Sequence, residues 1–216
     1  SKYAPDPSDV AGAVDLILKA ENPVIYAGEG VVYAGASAEL TAFAELVNAP
    51  VITTLKAKGV FPEDHPLFVG VRGDQVNHYL GKCDLLFAVG SSLSPGRFSH
   101  GIPNAVNKTI VHCTIDELHV NKTYPTAQAV IGDAKFALEA LSAEVSSKTS
   151  GNGRPAGNVV SEVKAERDSA MTKYREAMAS TDKPINPYKV YAGLMEALDP
   201  LKSFVTHESG NTRDQL

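Results

Sequence analysis

Apolar residues first recur at helical spacing. Val10, Ala13, Val14, Ile17 and Leu18 share one face of a helix predicted from Ser8 to Ala20. Asp6 or Ser8 is placed to cap it, and Pro7 suits its first turn. The pattern then changes to a continuous apolar run, Pro23-Val24-Ile25-Tyr26-Ala27-Gly28, which reads as a buried strand. Gly28-Glu29-Gly30 follows as a turn, and a second helix is predicted from about Ser37 to Val47. Strand, glycine turn and helix in that order open a βαβ unit. The motif repeats with a strand at Pro50 to Thr54, a long polar loop from Lys56 to Gly70 and a helix from Asp74 to Leu80. Two further strands cover Asp84 to Gly90 and Thr109 to Asp116. A short one covers Ala127 to Ile131, and a helix from Asp133 to Glu144 closes the series. Strands that are apolar throughout belong to parallel sheets covered on both sides. The expected fold class is therefore α/β, a Rossmann-like doubly wound parallel sheet with helices on both faces.

The pattern breaks at Ser146 to Asn158, SSKTSGNGRPAGN, which is rich in Ser, Gly and Pro and reads as a flexible linker. The expected domains are 1–145, a linker at 146–158, and a C-terminal piece at 159–216. That piece begins with a charged helix from Val159 to Ser180, whose expected packing residues are Val163, Met171, Tyr174 and Met178. A helix from about Ile185 to Leu198 and a strand at Ser203 to Thr206 follow. The polar, glycine-containing loop Glu208 to Thr212 comes last.

Composition narrows the function. The chain has 216 residues, 44% of them hydrophobic and 21% charged, with a formal net charge of -5. That is ordinary for a globular protein and gives no basic field for nucleic acid or an anionic membrane. No apolar run approaches the ~20 residues of a membrane span, and the first residues carry no signal pattern. Cys83 and Cys113 are too few for a disulfide framework, so reduced thiols and a cytoplasmic location are expected.

Candidate chemistry lies where strands end. Ligands bind an open parallel sheet outside the carboxyl ends of its strands, where the strand order reverses. Three such ends stand out: Gly28-Glu29-Gly30, Gly90-Ser91-Ser92 and Ile115-Asp116-Glu117. Glycine lets a phosphate approach the backbone, and Asp116 is placed to accept from a ribose hydroxyl. The full GxGxxG spacing is missing, because Tyr33 stands at the third glycine position. Tight-turn formation explains the same glycines equally well. No histidine has metal-ligand spacing with another His or a Cys, His112 reads as a core histidine, and Ser91, Ser92 and Ser94 lack a nucleophile elbow.

Longer stretches carry a resemblance. NPVIYAGEG, AELTAFAELVNAPVITTLKAKGVFPEDHPLFVG, CDLLFAVGSSLS and CTIDELHVNKTYPTAQAVIGDA together resemble the middle domain of thiamine diphosphate-dependent enzymes of the acetolactate synthase and 2-oxo acid decarboxylase type, over roughly Ser8 to Val145. The end of the chain, from KPINPYKVYAGLMEALDP onward, resembles the entry to that family's diphosphate-binding domain. The resemblance implies a parent enzyme that breaks or forms a carbon–carbon bond beside the carbonyl of a small 2-oxo acid, using thiamine diphosphate and Mg2+, as a homodimer or homotetramer. It implies a catalytically inactive piece, since the activating glutamate and the GDG motif are not found in this sequence. FAD or ADP is the nucleotide implied for the middle domain. By position, the implied contacts are Gly30, Ser92, Arg97, Asp116, Asn121 and Asp133, joined by Gly28 and Ser91 and by Glu208, Gly210 and Asn211 of the final loop. The acetolactate synthase pattern has an arginine where this chain has Ser92, which implies a weaker hold on FAD. The alternative expectation is a self-contained regulatory module of the same fold, binding FAD, ADP or NAD.

Overall fold

The structure is a computed structural model that describes residues 2–96 and 99–206. It divides into two compact units, Ser1–Arg167 and Asp168–Leu216.

The first unit holds α1 (Pro7–Lys19), β1 (Pro23–Ala27), α2 (Glu29–Ala34), α3 (Ser37–Val47), β2 (Val51–Thr53), β3 (Phe68–Gly70), α4 (Asp74–Lys82), β4 (Leu85–Val89), β5 (Thr109–Thr114), β6 (Gln128–Ile131) and α5 (Ala134–Lys148). The first turns of α6 (Val159–Met178) also belong to it. All strand pairs are parallel, in the order β3-β2-β1-β4-β5-β6. Because side chains alternate across a strand, the central strands feed two cores. Ile25 and Phe87 pack with Ile17, Leu40, Phe43 and Leu138, beneath α1, α3 and α5. Val24, Tyr26, Leu86 and Ile110 pack with Val76, Tyr79 and Leu80 of α4 and Val163 of α6. Burying each large apolar side chain contributes roughly 1.5–3 kcal/mol.

The α/β reading and the parallel sheet are as the sequence suggested, with local differences. The loop expected over Lys56 to Gly70 ends in β3, an edge strand whose Phe68 and Gly70 pair with Val51 and Ile52. The short apolar stretch of β3 follows directly on the polar, proline-bearing loop, so no separate run stands out as it does at Val51-Ile52. Helix α2 also escaped notice, being six residues long; Gly35 ends it at φ 65°, a conformation glycine adopts without strain. The stretch expected as a flexible linker is helical to Lys148 and then tied down. Arg154 donates from its backbone to Leu46 O at 2.9 Å and through Nη2 to the carbonyls of Ala20 and Glu21 at 2.8 and 2.9 Å.

The second unit carries the rest of α6 and α7 (Pro187–Ala197), which Asn186 caps through Tyr188 N–H. The rings of Tyr174 and Tyr188 lie 5.2 Å apart, centroid to centroid, tilted by 39°. Of the expected packing residues of α6, only Val163 is buried; Met171 is exposed. The strand expected at Ser203 to Thr206 is absent. Those residues form no regular structure, Phe204 is exposed, and a strand requires a neighbour to hydrogen-bond, which the described residues do not provide. The loop Glu208 to Thr212 lies outside the described residues.

Candidate functional site at the carboxyl edge of the sheet

From the central pair β1 and β4 the chain winds outward in opposite directions, so the strand order reverses between them. Both strands end on glycine, and the two ends abut. A Cβ on Gly30 would lie 2.7 Å from Gly90 Cα, and one on Gly90 would lie 2.6 Å from Val31 N. Gly90 also has φ 64°. The amides here are engaged within the protein: Gly28 N–H donates to Val89 O at 2.9 Å, Gly30 N–H to Gly90 O at 2.8 Å, and Gly90 N–H to Cys113 O at 3.0 Å. Close chain-on-chain contact alone thus requires glycine at these positions.

Above this seam lies a cleft of about 800 Å³ with predominantly apolar walls. Gly28, Gly30, Ser91, Ser92 and Asp133 all line it, so the fold brings five of the expected residues together. Asp133 caps α5, its Oδ1 accepting from Lys135 N–H at 3.0 Å, and the start of that helix therefore faces the cleft. Asp116 is not in the wall, although its neighbours Ile115 and His119 are. Its carboxylate accepts from Leu118 N–H at 3.0 Å and lies 3.6 Å from His119 Nε2. Asn121 is also outside the wall; at φ 56° it shapes a turn, Oδ1 accepting from Thr126 N–H at 2.7 Å. Arg97, Glu208, Gly210 and Asn211 lie outside the described residues.

Sequence reasoning missed a polar pair in the cleft. Tyr26 lies 3.1 Å through its hydroxyl from His100 Nδ1, the rings meeting edge to face at 5.7 Å. Burial pushes the Tyr26 phenol up to about 12. Burial, aided by the charge of Arg72 and opposed by a hydrogen bond with the Val71 backbone, holds His100 below the usual histidine range. Tyr26 is therefore protonated and His100 neutral at pH 7. A polar residue inside an otherwise apolar strand, close to its carboxyl end, was the available signal; His100 sits 74 residues further on and gave none. Lys56 and Glu29 add an exposed ion pair of 3.2 Å, and both line the cleft. His112 lies behind the wall, buried, with Nε2 2.7 Å from Ser91 O, and so anchors the first serine. Burial lowers its pKa.

The family model described as "Thiamine pyrophosphate enzyme, central domain" matches residues 10–141. The chain belongs to this family. Thiamine pyrophosphate and thiamine diphosphate are the same compound. Relatives include a probable acetolactate synthase large subunit of Methanocaldococcus jannaschii, 36% identical over 91% of this chain and 33% of the relative. A glyoxylate carboligase of Escherichia coli O157:H7 is 35% identical over 65% of this chain and 24% of the relative. Among solved structures, a benzoylformate decarboxylase from Polynucleobacter necessarius superposes with a TM-score of 0.58 at 25% identity. It covers 73% of this chain and 29% of its own. A putative thiamin diphosphate-dependent enzyme from Mycobacterium smegmatis gives 0.53 at 29% identity, over 65% of this chain and 28% of its own. The chain spans about a third or less of each of these proteins, and the match to the first of them extends beyond the central-domain region at residues 10–141.

Proposed function

We propose that this chain is the central domain, with adjoining sequence, of a larger thiamine diphosphate-dependent enzyme that breaks or forms a carbon–carbon bond beside the carbonyl of a small 2-oxo acid. The observation that carries this reading is the alignment of 91% of the chain with a probable acetolactate synthase large subunit. The other relatives point the same way, since benzoylformate and glyoxylate are both 2-oxo acids. The expectation of a self-contained regulatory module finds no such support: every relative named is an enzyme, and this chain aligns with a third or less of its length.

In that parent, thiamine diphosphate would supply the electron sink that carbon–carbon bond cleavage beside a carbonyl requires. The reading assigns Mg2+ and the diphosphate to other parts of the enzyme and treats this chain alone as inactive, because the family resemblance places their motifs outside this stretch. Its residues have a binding and scaffolding role. The cleft is large enough for an adenine nucleotide, and its apolar walls at the strand-order reversal suit a planar base. Ser91, Ser92 and the start of α5 offer donors there, whereas the amides of Gly28, Gly30 and Gly90 are already engaged. ADP and FAD share the chemistry this cleft would recognise. Among the described residues no helix is long and apolar enough to cross a membrane, and both cysteines are free and buried. A cytoplasmic site of action and a homo-oligomeric parent complete the proposal.

The test is to express the longer reading frame containing this chain and assay consumption of pyruvate and glyoxylate with thiamine diphosphate and Mg2+. Turnover that requires both additions supports the reading. A protein of the relatives' length that turns over no 2-oxo acid contradicts it.

A further inference from the structure

One end of the cleft at the carboxyl edge has no residue assigned to it by the function proposed above. The segment at Lys2 and Tyr3 builds that end. Lys2 Nζ lies 3.5 Å from Ala34 O, Tyr3 Oη donates to Ile115 O at 2.7 Å, and Asp133 N–H donates to Tyr3 O at 2.9 Å. These bonds gather the end of α2, the residue after β5 and the start of α5 around one place, and Lys2, Ala34, Ile115 and Asp133 all line the cleft there.

Tyr33 belongs to the same end. It is the residue before Ala34 in α2, lines the cleft and is 79% exposed. Ile115 is half-exposed. Neither side chain joins the two hydrophobic cores of the described residues, so their apolar surface is open to a ligand. Exposed apolar surface gathered at a cleft marks a binding groove. An aromatic face suits a nucleobase, since every base has a π-face whatever its hydrogen-bonding edge. The ammonium of Lys2 and the donors of Ser91 and Ser92 line the same cleft, so its charge complements a base that carries phosphates.

We propose that Tyr33 is the base-stacking residue of this cleft: the adenine of an adenine nucleotide lies on the Tyr33 ring, Ile115 completes the apolar end, and the phosphates run towards Ser91 and Ser92. The assignment rests on the nucleotide reading of the cleft given above and adds the residue that holds the base.

The 216-residue chain contains no tryptophan, so Tyr33→Trp places a single fluorescent reporter at the site. Its emission is followed during titration with ADP and, at matched ionic strength, with ribose 5-phosphate, which lacks the base. The expected result is saturable quenching by ADP and none by ribose 5-phosphate. Isothermal titration calorimetry with ADP then compares the parent chain with Tyr33→Phe and Tyr33→Ala. The side chain is exposed, so all three substitutions leave the core intact. Tyr33→Phe keeps the ring and should bind as the parent does. Tyr33→Ala should bind about tenfold more weakly, the loss of one base–aromatic stack. If ADP binds the parent chain, yet Tyr33→Ala binds it equally well and the indole is not quenched, the stacking assignment is overturned and the nucleotide reading stands. If ADP does not bind the parent chain, both fall. Equal quenching by ribose 5-phosphate would put the phosphate rather than the base at Tyr33 and overturn the assignment.

Discussion

The seam between Gly30 and Gly90 permits a test with opposite signs at two glycines. Gly30 lies in α2 with an ordinary negative φ, so propensity alone makes Gly30→Ala favourable by up to about 1 kcal/mol. The structure opposes it. The new methyl would lie 2.7 Å from Gly90 Cα and 2.9 Å from Gly90 O, roughly 1 Å inside normal carbon contact. The obstacle is backbone, and the β1–β4 ladder holds it from Pro23↔Leu85 to Ala27↔Val89, so it has little room to yield. Overpacking of this kind costs typically 1–3 kcal/mol and more against a rigid neighbour. The net expectation is a loss of about 2 kcal/mol. At roughly 2–4 °C per kcal/mol for a chain of this size, the melting temperature falls by about 4–8 °C. Gly81→Ala is the control. Gly81 is helical in α4, and a Cβ there meets nothing within 4 Å, so a gain of about 0.5–1 kcal/mol is expected. Urea unfolding followed by far-ultraviolet circular dichroism measures both. If Gly30→Ala proves as stable as the parent chain, the close approach of β1 and β4 is refuted.

Other consequences concern ties elsewhere in the first unit. Asp84 accepts from Glu21 N–H and Asn22 N–H at 2.7 and 2.8 Å, so Asp84→Ala should cost about 1–3 kcal/mol, read as a lower urea midpoint at unchanged slope. Arg154→Ala releases the strap from the carbonyls of Ala20 and Glu21; proteinase K should then cut within 149–158 faster than in the parent chain, and an unchanged digest would count against the tie. Burial lowers the folded-state pKa of His100 and His112, so the unfolded chain binds protons first as pH falls. The stability these neutral histidines contribute is fully present above about pH 6.5 and is lost as pH drops through that value towards their folded pKa values. Stability should therefore decline from pH 7 to pH 5, and a flat profile over that window would contradict their burial as neutral groups.

Legibility in the sequence followed element length and chemistry. The five-residue apolar runs of β1 and β4 and the amphipathic α1 and α3 were readable because a full period fits within them. β3 and α2 were not: β3 follows directly on a polar loop with Pro62 and Pro66, and α2 is six residues long between Gly28 and Gly35, so tertiary pairing and packing rather than pattern hold them. The Ser/Gly/Pro composition of 146–158 suggested mobility, but composition does not record that Arg154 reaches two carbonyls more than 130 residues away. Gly28, Gly30, Ser91 and Ser92 line the cleft because strand ends mark the ligand edge of a parallel sheet; Asp133, expected from the family resemblance, lines it too. Asn121, expected from positional likeness, lies outside the cleft wall in a turn, a placement that likeness does not report. Tyr26–His100 was missed because a hydrogen bond across 74 residues leaves no local pattern.

The most direct measurement is a thermal-shift titration of the chain with ADP, FAD and NAD, and with thiamine diphosphate plus Mg2+. A ligand at about 100 times its dissociation constant adds roughly 2.7 kcal/mol, which moves the melting temperature by several degrees. A central domain whose cleft accepts an adenine nucleotide should respond to ADP or FAD and lose that response in Ser92→Asp, which places a negative charge in the cleft wall. It should not respond to thiamine diphosphate with Mg2+. A shift with thiamine diphosphate, or none with any nucleotide, would contradict the account.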